Sequence, residues 1–305
     1  MSLRPRGLWR NPPSAVLHSH TIFNHSLSHL HILSTIRASP PPPNHHHLKS
    51  SATTNTTTNK YWNKFYKIHN NKFFKDRHYL EKDWADYFSP ESNSDSSISP
   101  TKVVLEVGCG AGNSVFPLIS AFPNIFVHAC DFSANAISLV KSHGDFRDER
   151  VKAFVTDVTK DDLCETISPN SVDIVTMIFA LSAVSPDKMP LVLQNIKKVL
   201  KPNGYVLLRD YATGDYAQEK LMERNQMISE SFYVRGDGTC AYYFSEDFLS
   251  RLFKHYGFDP IEVNVHCKQI ENRSKNITMD RRWIRAVFCK QDPCKAQPLS
   301  ISEVR

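Results

Sequence analysis

The run Glu106-Val107-Gly108-Cys109-Gly110-Ala111-Gly112 constrains the fold of this chain more than any other stretch. It ends an apolar segment, residues 103–107, and opens a helix-type pattern over 113–121. Three glycines within five residues weaken any helix or strand interior. The run therefore predicts a strand–loop–helix turn whose backbone can approach a ligand that a Cβ would exclude.

The pattern repeats downstream. Strands are expected at 125–130, ending on Asp131, at 151–156, ending on Asp157, at 172–178, and at 205–209, ending on Asp210. Ser133 is a suitable N-cap for a helix running to 141. In 187–200, Met189, Val192, Leu193, Ile196, Val199 and Leu200 share one helical face, and Pro202-Asn203-Gly204 stops the helix. An insertion at 212–244, a helix at 246–256 and strands at 260–265 and 283–289 follow. Alternating β and α units of this length predict an α/β fold, a mostly parallel seven-stranded sheet with helices on both faces. Ahead of it, Trp62, Phe65, Tyr66 and Ile68 suggest a short amphipathic helix, and a second helix-like stretch reaches Phe88. These form a small helical N-terminal cap, joined to the sheet by a linker at 89–101.

Charge separates the leader from the rest. Of 37 Lys and Arg, six (Arg4, Arg6, Arg10, Arg37, Lys49 and Lys60) lie in residues 1–60, which hold no acid; the other 31 face 31 Asp and Glu. The net +6 thus belongs to the leader. Its Ser, Thr, His, Asn and Pro content predicts disorder. An acid-free segment containing Arg and Ser reads as an organellar transit peptide, with cytoplasmic residence the alternative if it is a plain tail. No apolar run approaches a membrane span. The 7 Cys show no CxxC spacing, so no zinc site or disulfide framework is indicated. The expected divisions are 1–60 leader, 61–101 cap and linker, 102–290 α/β domain and 291–305 tail.

Ligands of such sheets bind beyond the carboxyl ends of the strands. Gly108, Gly110 and Gly112 open the backbone, and the following helix N-terminus favours a carboxylate. Asp131 is placed to accept both hydroxyls of a ribose. Asp157 is placed to accept from an adenine amine, with Ile178 and Phe179 against the adenine face. A dinucleotide site also has a glycine loop and a following acid. The E-x-G-x-G-x-G spacing and the third-strand acid favour S-adenosylmethionine and methyl transfer instead. The bland reading of any one Asp here is a turn or helix cap.

Several motifs then carry a family resemblance. They include Trp62-Asn63-Lys64-Phe65-Tyr66, Phe73-Phe74-Lys75-Asp76-Arg77-His78, Ala129-Cys130-Asp131-Phe132-Ser133, Leu208-Arg209-Asp210-Tyr211 and Phe232-Tyr233-Val234-Arg235-Gly236-Asp237-Gly238-Thr239. With these the chain resembles the eukaryotic tRNA 3-methylcytidine methyltransferases, a branch of the class I (Rossmann-like) methyltransferases, over about Tyr61 to Lys290. The resemblance implies S-adenosylmethionine contacts at Trp62, Tyr66, Gly108, Asp131, Asp157, Val158 and Ile178. Val158 stands where the family usually has Leu.

The resemblance also implies a reaction at N3 of a cytidine in a tRNA anticodon loop, and that some members work with an aminoacyl-tRNA synthetase. Neutral cytosine N3 already carries a lone pair and becomes cationic on methylation, so placement and charge stabilisation matter more than a base. Asp210 is the candidate carboxylate near the developing cation. Tyr211 and Phe74 are candidates to stack on a flipped base. Arg77 and His78 are candidates to grip phosphate or the base carbonyl; their bland readings are an Arg77 pair with Asp76 or Glu81 and a surface His78. Alternative functions are a class I methyltransferase for a small molecule or protein, and a non-catalytic partner subunit.

Overall fold

The computed structural model describes residues 51–89, 101–274 and 276–292. The expected tail after 292, most of the linker and residues 1–50 of the leader lie outside the described residues. Helix α1 (Ser51–His69) begins ahead of Tyr61, where the sequence places the onset of order. Two single-turn helices follow, α2 (Leu80–Asp83) and α3 (Ala85–Phe88).

Seven strands form one sheet: β1 (Lys102–Val107), β2 (Ile125–Asp131), β3 (Val151–Val155), β4 (Val172–Ile178), β5 (Leu200–Tyr211), β9 (Phe258–Asn272) and β10 (Ile277–Lys290). Their order is β3-β2-β1-β4-β5-β10-β9. The first five run parallel, and β10 inserts antiparallel between β5 and β9. The chain thus reverses direction between β1 and β4, the switch point where open α/β sheets bind ligands.

The α-helices between strands are α4 (Val115–Ala121), α5 (Ala134–Lys141), α6 (Met189–Val199), α7 (Tyr216–Glu223) and α8 (Glu246–His255). Ser133 caps α5 as expected, its Oγ accepting from the Ala136 amide at 3.2 Å. Strand alternation divides the core. Leu105, Val175 and Leu208 point to one face, where Val192, Leu193 and Ile196 of α6 and Phe253 of α8 cover them. Val104, Ile174 and Leu207 point to the other, against Leu118, Ile137 and Trp84. Each such fully buried aliphatic side chain contributes about 1.5–3 kcal/mol. Because both faces are covered, the central strands read as near-continuous apolar runs rather than alternating ones.

The final hairpin is far longer than the two short strands expected. Its polar outer half hides the period, since β9 is an edge strand with mostly solvent-facing residues. Pro260 is tolerated there because it sits at a register shift on that edge. The insertion folds as α7 with a separate small sheet, β6 (Met227–Ser229), β7 (Phe232–Val234) and β8 (Cys240–Tyr242). A buried ion pair fixes it to the hairpin: Arg281 Nε meets Asp215 Oδ2 at 2.9 Å, while Asp215 Oδ1 caps α7 through the Ala217 amide. No described helix is long and apolar enough to cross a membrane.

Candidate active site

The glycine loop leaves β1 in the left-handed region. Gly108, Gly110 and Gly112 have φ of 69°, 55° and 90°. A Cβ on Gly108 would come within 2.7 Å of the Ala180 Cβ, and one on Gly110 within 2.5 Å of the Tyr66 hydroxyl. The loop is held from below by the Cys130 carbonyl, which accepts from the Gly108 amide at 2.9 Å and the Cys109 amide at 3.0 Å. Behind it, the buried Glu106 accepts from the Thr176 hydroxyl of the neighbouring strand, and burial raises its pKa.

Helix α1 closes over the loop. Asn63 Oδ1 accepts from the Ser133 hydroxyl at 2.8 Å and from Asn135 Nδ2 at 3.0 Å, seating α1 on the N-terminus of α5. Trp62 and Tyr66, one turn apart, then stack over the strand ends with ring centroids 6.1 Å apart. The Phe73–His78 segment is clasped to the same loop. The Arg77 amide donates to the Asn113 carbonyl at 2.8 Å, and Asn113 Nδ2 donates to the Phe74 carbonyl and Asp76 Oδ1.

Two adjoining cavities result, of about 760 and 550 Å³. Trp62, Tyr66 and Gly108 line both. Asp131, Asp157 and Val158 line the first; Gly110 and Ile178 line the second. All eight residues expected at a cofactor therefore line one or both of these adjoining cavities.

Asp131 is almost fully buried. Its Oδ2 accepts from the Gly110 amide at 3.0 Å and its Oδ1 from the Ser133 amide at 2.8 Å. Burial pushes its pKa up to about 6, against the pull of those two amides. A ligand accepted by the carboxylate requires the charged form. Affinity should then be constant above pH about 6 and fall roughly tenfold per unit below it. Titrating S-adenosylhomocysteine calorimetrically between pH 5 and 8 checks this, and a flat profile would remove the carboxylate's role. Asp157 combines its bland and functional readings. Its Oδ1 accepts from the Thr159 amide and hydroxyl in a turn, and its Oδ2 meets Lys160 Nζ at 2.7 Å, while the residue still lines the cavity.

The residues expected at the reacting base divide. Phe74, Arg77 and Tyr211 line the second cavity. Asp210 and His78 line neither. Asp210 is 0% exposed, its Oδ2 accepting from the Ser182 amide and its Oδ1 from the Tyr211 amide, both at 2.9 Å. Burial raises its pKa to about 6. Successive strand residues face opposite ways, so Tyr211 reaches the cavity and Asp210 turns beneath it. His78 is 64% exposed and bonds Glu81 at 3.2 Å, which is its surface reading.

Arg77 is buried and contacts neither Asp76 nor Glu81. One guanidinium nitrogen donates to the Ile178 carbonyl and to Ser114 Oγ, each at 3.1 Å, and the group lies 5.5 Å from the Phe179 ring centroid. It forms a wall of the second cavity, with its Nε buried and without a hydrogen-bond partner among the described residues. Sequence reasoning misses Arg235 as a lining residue. Its guanidinium lies 5.1 Å from the Tyr211 ring centroid, in the same cavity. Its position in the FYVR-DGT motif is the one signal that could have found it.

Comparison with known proteins places the chain in a family. A methyltransferase-domain family matches residues 105–206. The chain is 43% identical over 231 residues to the tRNA N(3)-cytidine methyltransferase METTL6 of Homo sapiens, covering 76% of this chain and 80% of that protein. It is 39% identical to the tRNA N(3)-methylcytidine methyltransferase trm141 of Schizosaccharomyces pombe, covering 76% and 92%. The chain belongs to the tRNA N(3)-cytidine methyltransferase family. Its fold is that of class I methyltransferases. A Burkholderia thailandensis 1,6-didemethyltoxoflavin-N1-methyltransferase, solved with S-adenosylhomocysteine, superposes with a TM-score of 0.53 at 14% identity, covering 84% of this chain and 100% of that one.

Family membership makes S-adenosylmethionine the expected cofactor, and the residues present fit it. The Trp62 indole Nε1 is buried without a hydrogen-bond partner among the described residues, at the junction of both cavities. The glycine cradle is space a Cβ would fill. An unpaired donor over open backbone suits a ligand carrying acceptors.

Proposed function

We propose that this chain methylates N3 of a cytidine in the anticodon loop of tRNA, with S-adenosylmethionine as donor. The observation that carries the reading is the second cavity, where Phe74 and Tyr211 flank a space adjoining the glycine loop and Trp62. When bound, the cofactor supplies a methyl group on a sulfonium. Asp131 would hold the ribose, Asp157 and Val158 would line the adenosine end, and Trp62 and Tyr66 would cover the methionine end; Ile178, expected against the adenine face, lines the second cavity instead.

The chemistry asks little of a base. A new N3–C bond forms as the S–C bond breaks, and the electron pair stays on sulfur. No proton leaves N3, and the product base is cationic. The chain's own residues place the reactants and exclude water. Phe74 and Tyr211 offer aromatic faces to a flipped base, and such faces also favour a developing cation. Arg235 would donate to the cytosine carbonyl. Asp210 acts as a positioning residue through Ser182 and Tyr211.

Several basic residues of the sheet domain are engaged in ion pairs, whereas Lys64, Lys67, Lys72 and Lys75 beside the site are exposed. Arg281 is paired with Asp215, Arg285 with Glu262 and Asp83, Lys198 with Asp162 and Lys201 with Asp173. The net neutrality of residues 61–305 predicts modest affinity for free tRNA, which favours a partner such as an aminoacyl-tRNA synthetase to deliver the substrate. Tight, weakly salt-dependent tRNA binding by the isolated chain would contradict that reading. Targeting by residues 1–60 to an organelle belongs to the same proposal, and a fluorescent fusion of that segment that stays cytosolic would refute it.

Incubation with labelled S-adenosylmethionine and total RNA tests the function. Label should appear in 3-methylcytidine of tRNA. Label in protein or small molecules only, or cofactor binding without transfer, would overturn it.

A further inference from the structure

A third depression lies on the far side of the wall that bounds the second cavity. It has a volume of about 570 Å³, and Phe74 and Asn113 line both spaces. Its other walls are Asn71, Lys75, Asp76, Ala111, Phe116 and His143. None of the site residues read from the sequence, apart from Phe74, reaches it.

Its chemistry is that of a nucleobase seat. Phe116 is seated on Gly112, where a Cβ would come within 2.3 Å of its ring, and stacks on His143 at 3.6 Å with the planes 12° apart. With one face of the imidazole covered by Phe116, the exposed part is its other face and edge. The Asp145 amide donates to His143 Nδ1 at 3.2 Å, closer than the 3.8 Å to the Asp145 carboxylate, which leaves Nε2 as the ring nitrogen for a ligand. Asn71 and Asn113 add amide groups. Lys75 is exposed and makes no ion pair among the described residues, whereas the one carboxylate here, Asp76, accepts from Asn113 Nδ2 at 3.1 Å. Stacking surface, amide edges and an unpaired cation match a nucleotide better than an apolar or basic peptide.

We propose that this basin holds the nucleotide adjoining the target cytidine in the RNA strand, its base against His143 and its phosphate near Lys75. Extruding one base unstacks its neighbours, and a second seat one wall away fixes the strand in register while the target enters the first. The proposal rests on the RNA-methylating function above.

Anticodon stem-loop RNAs with an abasic site on either side of the target cytidine test it, with 3-methylcytidine formation as the readout. One abasic substitution should lower kcat/KM of the wild-type chain at least about fivefold, the range of a lost base–aromatic stack. The same substitution should cost nothing further in His143→Ala, while His143→Phe, which keeps an aromatic face, should retain the sensitivity. Lys75→Ala should reduce the slope of log kcat/KM against log salt by about 0.7. Affinity for S-adenosylhomocysteine should be unchanged in all three variants. Equal abasic penalties in wild type and His143→Ala, or no penalty at either position, overturn the proposal while leaving the function intact. If His143→Ala loses cofactor affinity, the Lys75→Ala slope decides, and an unchanged slope overturns it. Absence of 3-methylcytidine with the wild-type chain overturns the function and this inference together.

Discussion

Asp131→Ala is expected to lower S-adenosylmethionine affinity about a thousandfold. Two hydrogen bonds from ribose hydroxyls to a carboxylate are worth about 1.5–3 kcal/mol each. Their joint loss, near 4 kcal/mol, is about three orders of magnitude in Kd. The loop itself also suffers, because the Gly110 and Ser133 amides both donate to this carboxylate within a buried site. Without it, two amides must find water or move, and the cradle loosens before any ligand arrives. Asp131→Asn keeps one acceptor oxygen and should fall between. Calorimetric titration with S-adenosylhomocysteine, alongside thermal unfolding of the apo chain, separates the ligand effect from the loop effect. A change in affinity of less than tenfold would mean that the ribose is held elsewhere.

The second large effect is expected at Asp210. Asp210→Ala should reduce turnover at least about a hundredfold and destabilise the fold by about 2–4 kcal/mol, because two buried amides lose their acceptor. Those amides belong to Ser182 and Tyr211, both lining the second cavity. A carboxylate that touched the base would act mainly on kcat and leave the RNA's KM alone. One that holds Tyr211 and Ser182 in place should move both, with cofactor affinity preserved. Asp210→Asn retains an acceptor for one amide and should recover part of the stability and of the turnover. Single-turnover kinetics with tRNA, beside denaturant unfolding of each variant, read these quantities. Unchanged turnover in a folded Asp210→Ala protein would remove Asp210 from the machinery.

A carboxylate beneath the cavity, rather than in it, also changes how charge is handled. The groups facing the base space are aromatic rings and two guanidinium groups, those of Arg77 and Arg235. Arg77 is tied through one nitrogen to the Ile178 carbonyl and Ser114. Stabilisation of a methylated, cationic cytosine then falls to the ring faces.

Of the eight residues expected at the cofactor, Gly108, Gly110, Asp131, Asp157 and Ile178 follow from local pattern, at strand ends or in the glycine turn, whereas Trp62, Tyr66 and Val158 follow from the family resemblance. Alternation of apolar runs marks the strands, glycine spacing marks the loop, and a four-residue interval puts Trp62 and Tyr66 on one helical face. These are short-range properties, encoded within ten residues or so. The same holds for Ser133 as a cap and for α6, whose apolar stripe is plain.

Local pattern does not decide which way a side chain turns once several elements meet. Asp210 and Tyr211 are adjacent, and only the packing of the Leu181–Ala183 turn against β5 shows that one faces inward and the other the cavity. Arg77 reads as a surface cation until the Ile178 carbonyl, 101 residues away, is seen to hold it. Nothing local to Arg281 shows that Asp215, 66 residues distant, pairs with it in a buried place. The sequence by itself determined the glycine loop, the parallel sheet and the cofactor that they bind. Only the tertiary structure decided which charges remain available to RNA, because burial and pairing across long sequence separations set where a charge can be used.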